Sequence, residues 1–162
     1  MALTADAKLY SIDTPELFPK LNFPMCGNAL VYGNSIAYTD SNGRIVDPGV
    51  APTTGKVWGL IQRQTSTQAL SNPFGSTTAL ANCALTAEVN QGIFGVPYCS
   101  TDGFAEADVG AAAYLYDNIT VTKTAGSLIK AGKVVAVAGI GQGVGLPAGY
   151  VAVAFGLVGG VI

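Results

Sequence analysis

The sequence predicts an all-β, mainly antiparallel fold with an extended N-terminal arm and at most one short helix. Three observations predict it. Short apolar runs rich in Val, Ile, Tyr and Ala recur along the 162 residues, turns of Gly, Asp, Asn and Thr separate them, and charged residues make up only 11% against 49% apolar. Such runs between such turns are how half-buried antiparallel strands read. Soluble domains carry about 25% charge, so much of this surface is expected to be neutral and covered by a neighbour. The length suits one domain, or one domain plus an arm. We divide it into an arm over 1–25 and a single β-rich domain over 26–162, with a polar insertion at 62–87.

In the arm, Asp6, Lys8, Asp13, Glu16 and Lys20 alternate with Pro15, Pro19 and Pro24, and Tyr10, Phe18 and Phe23 stand singly. Prolines this frequent prevent a long helix and favour extended backbone. An arm that docks its aromatics on a neighbour and a first strand with a loop both fit. The first strands are expected at Ala29–Tyr32 and Ser35–Tyr38, with Gly33-Asn34 as the turn between them. Asp40-Ser41-Asn42-Gly43 is a hairpin signal, because Asn-Gly supplies the positive φ angles of a type I′ turn. Arg44–Val46 returns, and Lys56–Ile61 follows a loop punctuated by Asp47-Pro48-Gly49 and Pro52–Gly55.

Gln62–Ala87 is polar and poor in branched apolar runs, which predicts a long loop. A short helix over Thr77–Leu85 fits, capped by Ser76 or Thr77. Strands are then expected at Val89–Tyr98, Ala111–Tyr116, Ile119–Thr124, Lys133–Ala138 and Tyr150–Phe155, with turns at Thr101-Asp102-Gly103 and Asp117-Asn118. A faint repeat links Gly33 with Gly110, Asp40 with Asp117, and Gly55-Lys56-Val57 with Gly132-Lys133-Val134. Duplication and two convergent hairpins both account for it.

Several function classes lose their residues. The chain has no histidine and a net charge of -2, without a Lys/Arg cluster. Histidine bases, Ser-His-Asp and Cys-His nucleophiles and the commonest zinc ligand go together, and nucleic-acid binding lacks its basic footprint. Cys26, Cys83 and Cys99 are odd in number and form no Cys-x-x-Cys pair, so they are read as reduced small hydrophobes rather than disulfides or metal ligands. The N-terminus lacks a signal peptide's basic start and apolar core, which points to a cytoplasm. We expect no enzyme, no cofactor and no metal.

The run Gly139–Gly145 fails the dinucleotide fingerprint in both frames, since Val144 or Leu146 stands where the last glycine belongs, and it is read as a tight loop. The uncharged segment Val134–Ile162 is long enough to span a membrane, but eight glycines, Pro147 and Gln142 argue for buried strands with an apolar tail at Leu157–Ile162. Asp40, Asp47, Asp102 and Asp117 are read as turn-forming groups. Asn118-Ile119-Thr120 matches a glycosylation sequon, read here as coincidence. Trp58 is expected in a core or interface.

Gly92–Pro97, Gly110–Asp117, Ile119–Thr122 and Gly149–Val153 together resemble a family of small bacteriophage capsid decoration proteins, also called head cement or head-stabilising proteins. Its members similarly run from a "Gly, apolar, Phe" strand through a "Gly, x, x, Val, Tyr" strand to an apolar terminal pair. The chain departs from the pattern in its insertion, its Pro-rich arm and Ala113, where Val is usual. The resemblance implies a β-barrel-like or β-tulip-like domain, a homotrimer with a dimer as the alternative, bound to the major capsid protein on the outside of the phage head. Neither nucleic acid nor membrane is then a partner. Partner contacts are expected from Tyr10, Phe18 and Phe23 in the arm, Pro73 and Phe74 in the insertion, and Leu157 in the tail. The alternative is another virion or adhesion module, such as a head-fibre, tail or carbohydrate-binding domain.

Overall fold

The computed structural model describes residues 10–11, 20–26, 29–62, 70–71, 86–139 and 145–156. It is all-β, as the turn and strand pattern predicts. The strands are β1 (Tyr10–Ser11), β2 (Lys20–Pro24), β3 (Leu30–Val31), β4 (Ile36–Thr39), β5 (Lys56–Ile61), β6 (Leu70–Ser71), β7 (Thr86–Asn90), β8 (Gly92–Pro97), β9 (Ala112–Leu115), β10 (Val121–Thr122), β11 (Lys130–Val137) and β12 (Tyr150–Phe155). Glu106–Asp108 forms one 3-10 turn. The expected helix over 77–85 and the centre of the Gly139–Gly145 loop lie outside the described residues.

Two antiparallel sheets carry the fold. One has the order β2-β7-β5-β4 and the other β1-β8-β12-β11-β9-β10, while β3 and β6 pair apart from both. Ile36, Tyr38, Val57 and Leu60 of the four-stranded sheet meet Phe94, Leu115, Val134, Val153 and Phe155 of the six-stranded one in an inner core. The opposite face of the four-stranded sheet buries Ala37, Ile61, Ala87 and Val89 under Met25, Ala29, Val31 and Ile45 in an outer core. The six-stranded sheet is rolled. Beyond the end of β8, Tyr98 bridges Val121 of β10, and the Cys99 N–H donates to the Val121 carbonyl at 2.9 Å.

The repeat is present in topology but not in the register the sequence suggests. Taken in chain order, β2, β4, β5 and β7 are arranged first-fourth-third-second, and so are β8, β9, β11 and β12, a Greek-key order in each half. A bulge at Trp58 precedes Gly59 on β5, and one at Ala131 precedes Gly132 on β11. At both glycines the neighbouring strand comes so close that a Cβ would lie 2.2 Å from a carbonyl oxygen, of Asn90 and Ala154 respectively. Gly132 therefore stands with Gly59, not with Gly55 as the sequence match proposes. Aligned this way, Ala37 corresponds to Ala113, Ile61 to Val134, Val89 to Val153 and Phe23 to Val96. The first of each pair faces the outer core and the second the inner core.

The arm contributes to both sheets. Tyr10 and Ser11 pair with Gly95 and Phe94 on the outer edge of β8, and Lys20–Pro24 pairs along the whole of β7. Between β7 and β8 the chain crosses from one sheet to the other through a single residue, Gln91, which is 1% exposed.

Phe155 is fully buried and its ring lies 6.4 Å from that of Phe94. Phe155→Ala is expected to cost about 3–5 kcal/mol through lost transfer energy and a cavity. Gly132→Ala, which adds atoms against Ala154, is expected to cost about 1–3 kcal/mol. Urea unfolding followed by far-UV circular dichroism reads both.

Candidate functional site

A concavity lies at the mouth of the rolled sheet. A cleft of about 540 Å³ is lined by Pro97–Thr101, by Tyr116, Ile119 and Thr120, and by Tyr150. A second recess of about 280 Å³ shares Cys99, Thr101 and Tyr116 with it and adds Asp102, Thr122, Thr124, Gly126 and Leu128. Three connections build this mouth: the turn after β8, the turn between β9 and β10, and the entry to β12. Each supplies one tyrosine at a strand end.

Local side-chain chemistry fixes the rim. Asp117, 2% exposed, accepts the N–H groups of Ile119 at 3.0 Å and Thr120 at 2.7 Å, so it closes the β9–β10 turn from inside. The Asn118 amide donates to Asp47 at 3.1 Å, and the Ile36 N–H donates to the Asn118 carbonyl at 2.8 Å, tying that turn to the other sheet. The sequon asparagine is thus buried with its amide engaged. On the other side the Asp102 carboxylate accepts the Thr122 hydroxyl and the N–H groups of Lys123 and Thr124, both at 2.9 Å. Tyr98 is set by an edge-on contact with Phe104, ring centroids 5.5 Å apart.

The expected turn roles of the acids hold elsewhere too. Asp40 accepts the N–H groups of Asn42 at 2.8 Å and Arg44 at 3.0 Å, and Asp47 accepts that of Gly49 at 2.7 Å. Asp102 goes further than a local turn, since it holds a loop some twenty residues away. Among the described residues no cluster of three or more acidic, Cys or His groups could hold a metal ion. Cys26 and Cys99 form no disulfide and are half-buried rather than fully buried. The Cys99 sulfur lies 3.2 Å from the Thr101 hydroxyl oxygen.

Of the residues expected to touch a partner, Phe23 packs within the chain, its ring 4.8 Å from that of Trp58. Trp58 also donates its Nε1–H to the Thr39 hydroxyl at 2.9 Å, which anchors it in the protein's own packing. Tyr10 sits in β1 on the edge of the six-stranded sheet. Phe18, Pro73, Phe74 and Leu157 lie outside the described residues. The uncharged Val134–Phe155 text forms β11 and β12, paired with each other from Gly132↔Phe155 to Val137↔Val151. No helix among the described residues is long and apolar enough to cross a membrane. Compared with protein-family models, curated proteins and solved structures, the chain matches none.

Burial opposes the charge of Asp102, yet its hydrogen bonds from Thr122, Thr124 and Lys123 outweigh burial and hold the carboxyl below the usual range. A folded pKa below the unfolded value of about 3.9 gives stability that is complete above that pH and lost as pH falls through the folded value. Asp40 is lowered in the same direction, burial again being outweighed, by Arg44 and Asn42. Asp102→Asn is therefore expected to lower the melting temperature at pH 7 and to flatten part of its fall below about pH 4. Melting curves from pH 2 to 7 for both proteins check this, with pH range set by the carboxylate window.

Proposed function

We propose that this protein decorates a bacteriophage head, binding the major capsid protein on the outer surface and stabilising the filled particle. One observation carries the reading. The separate stretches that resemble the decoration family, Gly92–Pro97, Gly110–Asp117, Ile119–Thr122 and Gly149–Val153, supply β8, β9, β10 and β12, which with β11 make one continuous rolled sheet. The resemblance, carried by the second half of the chain, thus falls on a single structural unit.

Three further features support it. The chain carries only 11% charged residues, which suits a subunit whose surface is covered by neighbours. Its arm already adds a short strand to the β8 edge, the kind of main-chain pairing by which extended segments join partner sheets. Repeated weak contacts around a symmetric particle supply avidity without a single strong site. In this reading the subunit is a homotrimer, is made in the host cytoplasm, resides in the virion, and has no catalytic role.

Purified protein added to undecorated heads should bind and raise their thermal and osmotic resistance; failure to do either removes the proposal. The arm should be cut ahead of β2, because Lys20–Pro24 pairs along β7 and Met25 is 1% exposed in the outer core. Deleting residues 1–19 is expected to leave a folded domain that no longer binds heads. Deleting 1–25 is expected to unfold it as well, since losing a buried methionine alone costs about 2–5 kcal/mol. Co-sedimentation with heads and circular dichroism separate the two losses.

A further inference from the structure

We infer that the cleft at the mouth of the rolled sheet binds the ring of a neutral saccharide. Its volume of about 540 Å³ falls within the roughly 300–1,000 Å³ of small-molecule sites. Three tyrosines line it, Tyr98, Tyr116 and Tyr150, together with the hydroxyl-bearing residues Ser100, Thr101 and Thr120. None of its described lining residues is charged.

This chemistry selects among ligands. An anion such as a phosphate or nucleotide would find no cation in the lining and would meet the Asp102 carboxylate in the adjoining recess. A peptide docking as an added strand needs unpaired main-chain groups. Here Tyr98 N–H donates to the Gly149 carbonyl at 3.0 Å, Cys99 N–H to Val121 at 2.9 Å, and Tyr116 N–H to Thr120 at 2.9 Å. The lining residues themselves offer aromatic and hydroxyl-bearing side chains. A sugar ring presents one face of C–H groups and a rim of hydroxyls, and so complements both.

The cleft is also set in advance. Asp117 closes one wall and Asp102 holds the other, and Phe104 fixes the Tyr98 ring from behind. Little loop ordering is then required on binding, which favours affinity for a small polar ligand. The inference needs no capsid and stands apart from the head-binding reading.

The test is the full-length protein on an array of neutral and anionic glycans with a parallel peptide panel. NMR titration with glucose, galactose, N-acetylglucosamine and their short oligomers follows. A neutral glycan should be retained, with shifts centred on Tyr98, Thr101, Tyr116 and Thr120. Tyr116→Ala should weaken it about tenfold, the loss of one aromatic contact, whereas Tyr116→Phe should retain most of the affinity. Thr101→Ala, at an exposed position, provides a second variant that keeps the fold, and it should also weaken binding. The inference is overturned by no neutral-glycan binding at millimolar concentration, by binding indifferent to Tyr116→Ala and Thr101→Ala in folded protein, or by a preference for anionic glycans or peptides.

Discussion

Burial of β4 and β5 on both faces is the constraint on which the rest of this structure depends. In β4 all four residues, Ile36, Ala37, Tyr38 and Thr39, are buried. A strand covered on both sides cannot alternate apolar and polar residues, and polar atoms enter it only with partners in place. Tyr38 reaches the Thr54 carbonyl at 2.6 Å, and Thr39 accepts the indole of Trp58. Charge is accordingly kept to the start of β5, at Lys56, and to the neighbouring outer strands, where Lys20 of β2 pairs with Glu88 of β7 at 2.9 Å.

With so few charges, four of the described carboxylates have a structural task. Asp40, Asp47 and Asp117 hold turns of their own, and Asp102 joins two loops that are distant in sequence. The consequence for the mouth of the rolled sheet is a rim held rigid by acids and a lining without charge. Rigidity and neutrality, which usually compete because ordered loops need strong polar contacts, are separated here by placing the acids behind the lining or beside it.

The fold was legible where the signal is local. Strands at 36–39, 56–61, 92–97, 112–115 and 150–155 follow from short apolar runs bounded by Asx and glycine turns, chemistry that does not depend on distant contacts. Lys20–Pro24 was harder, because its prolines read as an arm although Pro24 closes an edge strand, where a missing N–H is tolerated. β11 begins four residues before its apolar run at Val134, since Lys130 and Gly132 join through pairing with Tyr114 and Ala113 rather than through their own propensity. The cleft was illegible for a different reason. Its tyrosines come from three connections that only the rolled sheet brings together, and the available signal was a tyrosine beside a turn at three strand ends.

The sense in which the two Greek-key halves stack has a further consequence. Halves related by a dyad would present the same face to each other and satisfy one another fully. Here the face that the second half turns inward corresponds to the one that the first half turns away, toward Met25, Ala29, Val31 and Ile45. The pair is therefore head-to-tail, and such an arrangement has no natural end. Those four side chains act as the terminator of a two-member stack, in the way capping repeats close a solenoid.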